Sequence, residues 1–233
     1  MISILFSLGL ISQLSTNSIQ LSTPQIQAQD IAVEGSKVVR VAAAPAAGSA
    51  SKFVVDTVKE LEKIVEIKNH EAQLRKFVSR ILDLDRLGQR AMITHWDRLG
   101  KTAKGKKQRS QYLALFKKLV EENYMEQARK YIGGNYILVV TDEVKKDSEM
   151  KIVNGRIKKT DVDLLIEFDL VAPKSGYKIA DIKLDETSLE ATYRSSFNRI
   201  IKKKGGLDLG FPELLATMNK RLAELKNGKA TQL

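Results

Sequence analysis

The chain has 233 residues, enough to bury a sizeable core, and 43% of them are apolar, as in an ordinary globular protein. Its formal charge of +11 points to anionic partners (nucleic acid, lipid head groups, an acidic protein surface) unless it marks only a lysine-rich surface. Cysteine is absent, which excludes a disulfide framework, a thiolate metal site and a cysteine nucleophile.

The chain opens on an apolar run, Ile2 to Ile11. It is about as long as the hydrophobic region of an export signal and too short to span a bilayer. The first basic residue is Lys37, so the charged start of such a signal is missing. Small residues suited to cleavage occur at Ala28 and from Ala42 to Ala50. Val41 to Ser51, rich in Ala, Gly and Ser, reads as linker. Residues 1–50 are therefore expected to be export signal and disordered linker, 51–228 one folded domain, and 229–233 a tail.

Val54, Val55, Val58, Leu61, Ile64 and Val65 recur at helical spacing over 52–68. Leu74, Phe77, Val78, Ile81 and Leu82 mark a second helix, and Leu87 to Trp96 a shorter third. Leu99 to Lys107, rich in Gly and Lys, predicts a loop. The longest helix is expected over Lys107 to Ile132. It carries Tyr112, Phe116, Leu119, Val120 and Tyr124 on one face, and Gly133-Gly134 stops it.

The pattern then becomes that of strands. Tyr136 to Val140 is one, and Met150 to Lys158 is the next. Asn154-Gly155 inside the second reads as a bulge rather than a hairpin turn, because Lys159-Thr160-Asp161 makes the better turn. Val162, Leu164, Ile166, Phe168 and Leu170 alternate cleanly. Pro173 to Gly176 is a turn, and Tyr177 opens a fourth strand. The hydrophobic period then rises from two to about 3.6. Leu189, Tyr193, Phe197, Ile200 and Ile201 line a helix over 188–204. Thr187 and Glu190 have capping-box spacing, and Gly205-Gly206 ends the helix. A last helix starts with Pro212 near its N-terminus and shows Leu215, Met218, Leu222 and Leu225 on one face. Helices, a strand meander and helices again predict an α+β fold whose antiparallel sheet packs one face on the helices.

No catalytic motif stands out. His70 and His95 lack ligand spacing and read as surface or helix-end residues. No Gly-rich segment has phosphate-loop spacing, and no Gly-x-Ser-x-Gly elbow occurs. Asp163, Glu167 and Asp169 share one face of a strand, which is expected to be the solvent face. Aromatics are only 6%, and no basic run carries interleaved Phe or Tyr on a strand, which argues against a single-strand nucleic-acid platform. Arg98, Lys101, Lys104, Lys106, Lys107 and Arg109 form one basic cluster, a candidate docking patch or a solvated loop. Lys202, Lys203 and Lys204 suit the negative end of a helix dipole.

The order of Trp96, Gln108-Arg109, Phe116, Leu119 and Tyr124 resembles a family signature, Trp … Gln-Arg … Phe … Leu-Leu … Tyr. Tyr177-Lys178-Ile179-Ala180-Asp181-Ile182 is similar to that family's Trp-Lys-Val-Tyr-Asp-Val strand, with Tyr177 in place of the Trp. Ser188-Leu189 and Tyr193-Arg194-Ser195-Ser196-Phe197 resemble its Ser-Leu/Val … Tyr-Arg-x-x-Phe helix. Over about residues 52 to 226 the chain thus resembles the toluene-tolerance or MlaC family. This is the periplasmic phospholipid-binding component of the Mla lipid-asymmetry transport system.

The resemblance implies a helical layer on a curved four-stranded antiparallel sheet, an NTF2-like cone, with a deep apolar pocket for lipid acyl chains. It implies no catalysis, no cofactor and no metal, with phospholipid as the ligand. The implied pocket wall takes Val78, Leu82, Trp96, Phe116, Leu119, Val120 and Tyr124 from the first helices. Val139, Ile166, Phe168 and Ile182 come from the sheet, and Leu189, Tyr193, Phe197 and Ile201 from the helix after it. Lys104, Arg109 and Arg194 are implied head-group or docking residues. The implied partners are an inner-membrane Mla-type ABC transporter complex and an outer-membrane lipoprotein and porin complex, met by a monomer in the periplasm, with no nucleic acid. The alternatives are a carrier of a hopanoid or other apolar lipid and a small enzyme on the same fold. Asp181 is the nearest candidate for a buried ionisable group in such an enzyme.

Overall fold

A computed structural model describes residues 39–41, 45–131, 137–159, 162–172 and 176–227. The expected export segment, the Gly133-Gly134 stop, the 229–233 tail, and all or part of the turns at Lys159-Thr160-Asp161 and Pro173 to Gly176 lie outside these residues.

Helix α1 spans Ala50–Glu66, and its N-cap Ser49 accepts a hydrogen bond from the Lys52 amide at 3.1 Å. Upstream of it, β1 (Val39–Val41) lies in the stretch read from sequence as signal and linker. Helix α2 covers Glu71–Ile81. The single helix expected over Leu87 to Trp96 is two: α3, Leu84–Ala91, and α4, Ile93–Gly100. They meet at Met92, which leaves helical geometry (φ −107°, ψ 12°) and buries its side chain in the core.

The loop expected over Leu99 to Lys107 is instead a tight corner. Helix α5 already begins at Ala103 and runs to Tyr131. Thr102 supplies its first hydrogen bonds, its Oγ1 accepting from the Gly105 amide at 3.0 Å. A Cβ on Gly105 would overlap the Leu99 carbonyl, so this glycine serves close backbone approach between two helices. Gly-rich composition marked packing here, not a loop.

Strands β2 (Ile137–Lys145), β3 (Met150–Lys159), β4 (Val162–Val171) and β5 (Lys178–Leu184) form the expected antiparallel meander. β1 adds a parallel edge on β2, and β6 (Thr187–Ser188) adds an antiparallel edge on β5. Two bulges bend the sheet. One leaves Thr141 of β2 unpaired between Val140, opposite Gly155, and Asp142, opposite Asn154. The expected bulge therefore exists, but the extra residue is on the partner strand. Gly155 is needed because a Cβ there would come within 2.8 Å of the Val139 carbonyl. The second bulge leaves Ala180 of β5 unpaired. It breaks the alternation expected from Tyr177 onward, so Ile179, Ala180, Asp181 and Ile182 are all buried.

One sheet face is apolar and belongs to the core: Leu138, Val140, Val153, Ile157, Ile166, Phe168 and Leu170. The other carries the acidic row, each member ion-paired to a base; Asp163 and Glu167 reach solvent as expected, but Asp169, opposite Ile152 and Asp181, is buried. Arg156 reaches Asp163 at 2.8 Å, Lys146 reaches Asp169 at 3.1 Å, and Lys183 pairs with Glu167. Helix α6 (Leu189–Lys203) follows β6, and α7 (Leu207–Lys226) starts before Pro212 rather than at it. Helices α1, α2, α3 and α6 lie against the sheet, while α5 packs on α2, α3, α4 and α7.

Candidate functional site

The interior between helices and sheet is built around α5. Its inward residues Tyr112, Phe116, Leu119, Val120, Tyr124 and Met125 are all buried. An aromatic cluster joins α5 to α6 and α7. The Phe116 and Tyr193 rings lie 5.1 Å apart at 75°, and the Tyr112 and Phe197 rings 5.9 Å apart at 88°. Phe211 of α7 stands 6.4 Å from Tyr112. The first two contacts are edge-to-face and the third is tilted, and all add to the burial of large apolar rings.

Among the residues proposed for the wall, Val78, Leu82, Phe116, Leu119, Val120 and Tyr124 are buried in one continuous core. Ile166, Phe168, Ile182, Leu189, Tyr193, Phe197 and Ile201 join them there. Trp96 is half-buried against the same core, its ring 6.4 Å from Tyr112. Val139 is a correction. It is opposite Arg156 and alternates with Leu138 and Val140, which are the inward residues of β2. The apolar run of β2 has no polar alternation, so sequence alone could not choose its face. Tyr112 and Phe211 belong to the same interior without being among the expected wall residues: Tyr112 lies on the α5 stripe, whereas Phe211 precedes Pro212, near which the last helix is expected to start.

The buried phenols differ. Tyr112 donates to the Gly88 carbonyl at 3.0 Å, and Tyr193 accepts from Asn123 Nδ2 at 3.3 Å. Tyr124 Oη is buried with no hydrogen-bond partner among the described residues. Burial pushes the Tyr193 phenol up to about 12 and raises Tyr112 and Tyr124 as well, so all three stay protonated near neutral pH.

Asp181 is buried at the start of α6. Burial raises its pKa, against the opposing pull of hydrogen bonds from Ser188, Glu190 and Ile182. Its carboxylate accepts from Ser188 Oγ at 2.6 Å and from the Glu190 amide at 3.0 Å. Ser188, not Thr187, is the N-cap, its Oγ accepting from the Ala191 amide at 3.0 Å. The capping box is not formed, because the Glu190 side chain turns away to pair with Arg90 and, at 2.7 Å, with Arg194. Asp181 thus caps α6 from a neighbouring strand, taking the Glu190 amide and holding the Ser188 hydroxyl, a structural use of a carboxylate that an acid–base role would have to break.

Two of the proposed head-group residues are occupied within the fold. Arg109 Nε donates to the Trp96 carbonyl at 2.7 Å, and its guanidinium lies 4.4 Å from the Trp96 ring centre. Arg194 holds Glu190. Lys104 is exposed, as are Lys101, Lys106 and Lys107. His70 Nδ1 meets the Ile67 carbonyl at the start of α2, and His95 Nε2 meets Asn198 Oδ1 on α6, both at 2.9 Å. Among the described residues no cluster of His, Asp and Glu is placed to hold a metal ion. No described helix is long and apolar enough to cross a membrane. A shallow groove of about 450 Å³ runs along the outer side of α6, between Thr187 and Arg199.

These features define an α+β protein with helices on a bent antiparallel meander and an aromatic-rich interior between them. The MlaC protein family matches residues 49–220, and the chain belongs to that family. A phospholipid-binding protein from Ralstonia solanacearum, solved in complex with a phospholipid, shares the fold. Its TM-score is 0.59 at 20% identity, over 78% of this chain and 99% of that one. No match is found among curated proteins.

Proposed function

We propose that this protein is a non-enzymatic phospholipid carrier. Its acyl-chain site is the interior formed by α5, α6 and the apolar sheet face. The observation that carries the reading is that the family match spans this whole interior, residues 49–220. The relative that shares the fold binds a phospholipid, which supports the same ligand class here. Transferring acyl chains from water into an apolar interior is worth about 0.8 kcal/mol per CH₂. Two chains of ordinary length contribute on the order of 20 kcal/mol gross, before ordering costs. Affinity therefore needs no dense polar recognition, in keeping with a wall of Leu, Val, Ile, Phe and Tyr. The head group stays at the water edge, where lysine or arginine can pair with its phosphate.

In the finer form of the proposal, the carrier works in the periplasm. It exchanges lipid with an inner-membrane ABC transporter and an outer-membrane complex. Native mass spectrometry and lipid extraction of protein purified without detergent test the reading. Bound phospholipid is expected. Protein that stays lipid-free after incubation with liposomes would overturn it, and an extracted hopanoid would replace the ligand class while keeping the carrier. Phe116→Asp, which puts a carboxylate among the rings of Tyr112, Tyr193 and Phe197, is expected to abolish loading in protein that remains folded by circular dichroism.

A further inference from the structure

Tyr124 is 5% exposed, and its Oη has no hydrogen-bond partner among the described residues. Native proteins leave few buried polar atoms unpaired, because such a group has lost water and gained nothing in return. The polar groups nearest to it have other partners. Tyr193 and Asp181 are the charges and dipoles that act on Tyr124. The Tyr193 phenol is engaged by Asn123, and the Asp181 carboxylate is taken by Ser188 and the Glu190 amide. Tyr124 belongs to the same core as Val120, Phe168 and Ile182, on the face of α5 that carries Leu119 and Phe116.

The chemistry of a partner follows from these surroundings. A phenol that stays protonated donates, so the partner must accept. An anionic acceptor is disfavoured, since Asp181 already places one carboxylate in this low-dielectric neighbourhood. A plain hydrocarbon offers no acceptor at all. A neutral carbonyl oxygen in an otherwise apolar ligand fits both conditions, and the ester linkages of a glycerolipid carry one at the root of each acyl chain.

We infer that Tyr124 is a polar anchor inside the apolar interior, its Oη donating to an ester carbonyl of bound glycerolipid and so favouring ester-linked lipids over lipids without a carbonyl. The inference rests on the carrier reading above and deepens it. Delipidated full-length protein is to be offered equal amounts of a diacyl (ester) and a dialkyl (ether) phosphatidylglycerol of the same chain length in mixed vesicles. The bound ratio is read by native mass spectrometry. Wild type is expected to favour the ester lipid about tenfold, the effect of one hydrogen bond in a dry site. Tyr124→Phe is expected to bring the ester lipid down to the level of the ether lipid. The same variant, once lipid-free, should melt at or above the wild-type temperature, because it removes an unpaired donor. A phenol with a purely structural role would give a lower melting temperature and an unchanged lipid ratio, and that pair of results overturns the anchor. Loading of both lipids without preference in wild type overturns the anchor alone. Loading of neither overturns the carrier reading, and the anchor with it.

Discussion

At the start of α6 the buried charges are partnered: Asp181 accepts from Ser188 and the Glu190 amide, and Glu190 pairs with Arg90 and Arg194. Beside them, on α5, Tyr124 is equally buried, and its Oη has no hydrogen-bond partner among the described residues. The first arrangement is that of a joint. It fixes where a helix leaves a strand and answers its own hydrogen-bonding needs. The second is an apolar packing with one buried donor left unpaired among the described residues. The contrast separates buried groups whose hydrogen bonds hold the fold together from a buried phenol whose hydrogen bond the fold does not use.

The comparison breaks if the interior proves to be as replaceable as a liquid, or the joint as tolerant as a surface. Phe197→Ala removes a ring packed on Tyr112, Phe116 and Tyr193, and is expected to cost about 4 kcal/mol in denaturant unfolding. A cost near zero would mean that this part of the interior is not packed as described. Asp181→Ala strips the acceptor from two donors at the joint and is expected to cost about 2 kcal/mol, with α6 fraying in hydrogen exchange at its first turn. Arg109→Lys keeps the charge at the α4–α5 corner but loses the planar stack on Trp96. A loss of about 1 kcal/mol is expected in thermal or denaturant melts, with none if the contact is a passive surface pairing.

The smallest effect is a pH slope. Burial raises the Asp181 pKa, so the native protein holds that proton more tightly than the unfolded chain does. Its stabilising contribution is complete below the ordinary carboxylate range and is lost as pH rises through the raised value. Asp181→Asn removes this titration. The stability of wild type minus that of the variant should therefore fall as pH rises across that window. A difference that is flat, or that rises, would show that hydrogen bonding outweighs desolvation at the joint.

Much of this was legible beforehand where the pattern was local. The alternation from Val162 to Leu170 predicted β4 and its two faces, and the acidic row then found its cross-strand bases. The stripe on α5 from Tyr112 to Tyr124 predicted the interior. The resemblance in residue order carried the fold further, to the family that matches residues 49–220. What stayed hidden was non-local. Gly105 looked like a loop residue because nothing in the sequence says that the Leu99 carbonyl will lie against it. Thr187 and Ser188 are both good caps, and only the β5–β6 turn decides which one faces the Ala191 amide. Val139 sits in an unbroken apolar run, and the bulge and the pairing with Arg156 chose its side.

The sequence by itself determined the periodicities, and with them the helix-on-sheet class, the large apolar faces and the order of residues that marks the family. Only the tertiary structure decided which polar groups are satisfied. Periodicity is a property of neighbours along the chain, set by backbone geometry. Satisfaction depends on partners brought from far away, as Arg90 is to Glu190 or Asp181 to the head of α6. For that reason Arg109 and Arg194, which the resemblance implies as head-group or docking residues, are engaged within the fold. Tyr124, one more aromatic on a stripe, is a buried donor left with a hydrogen bond to give among the described residues.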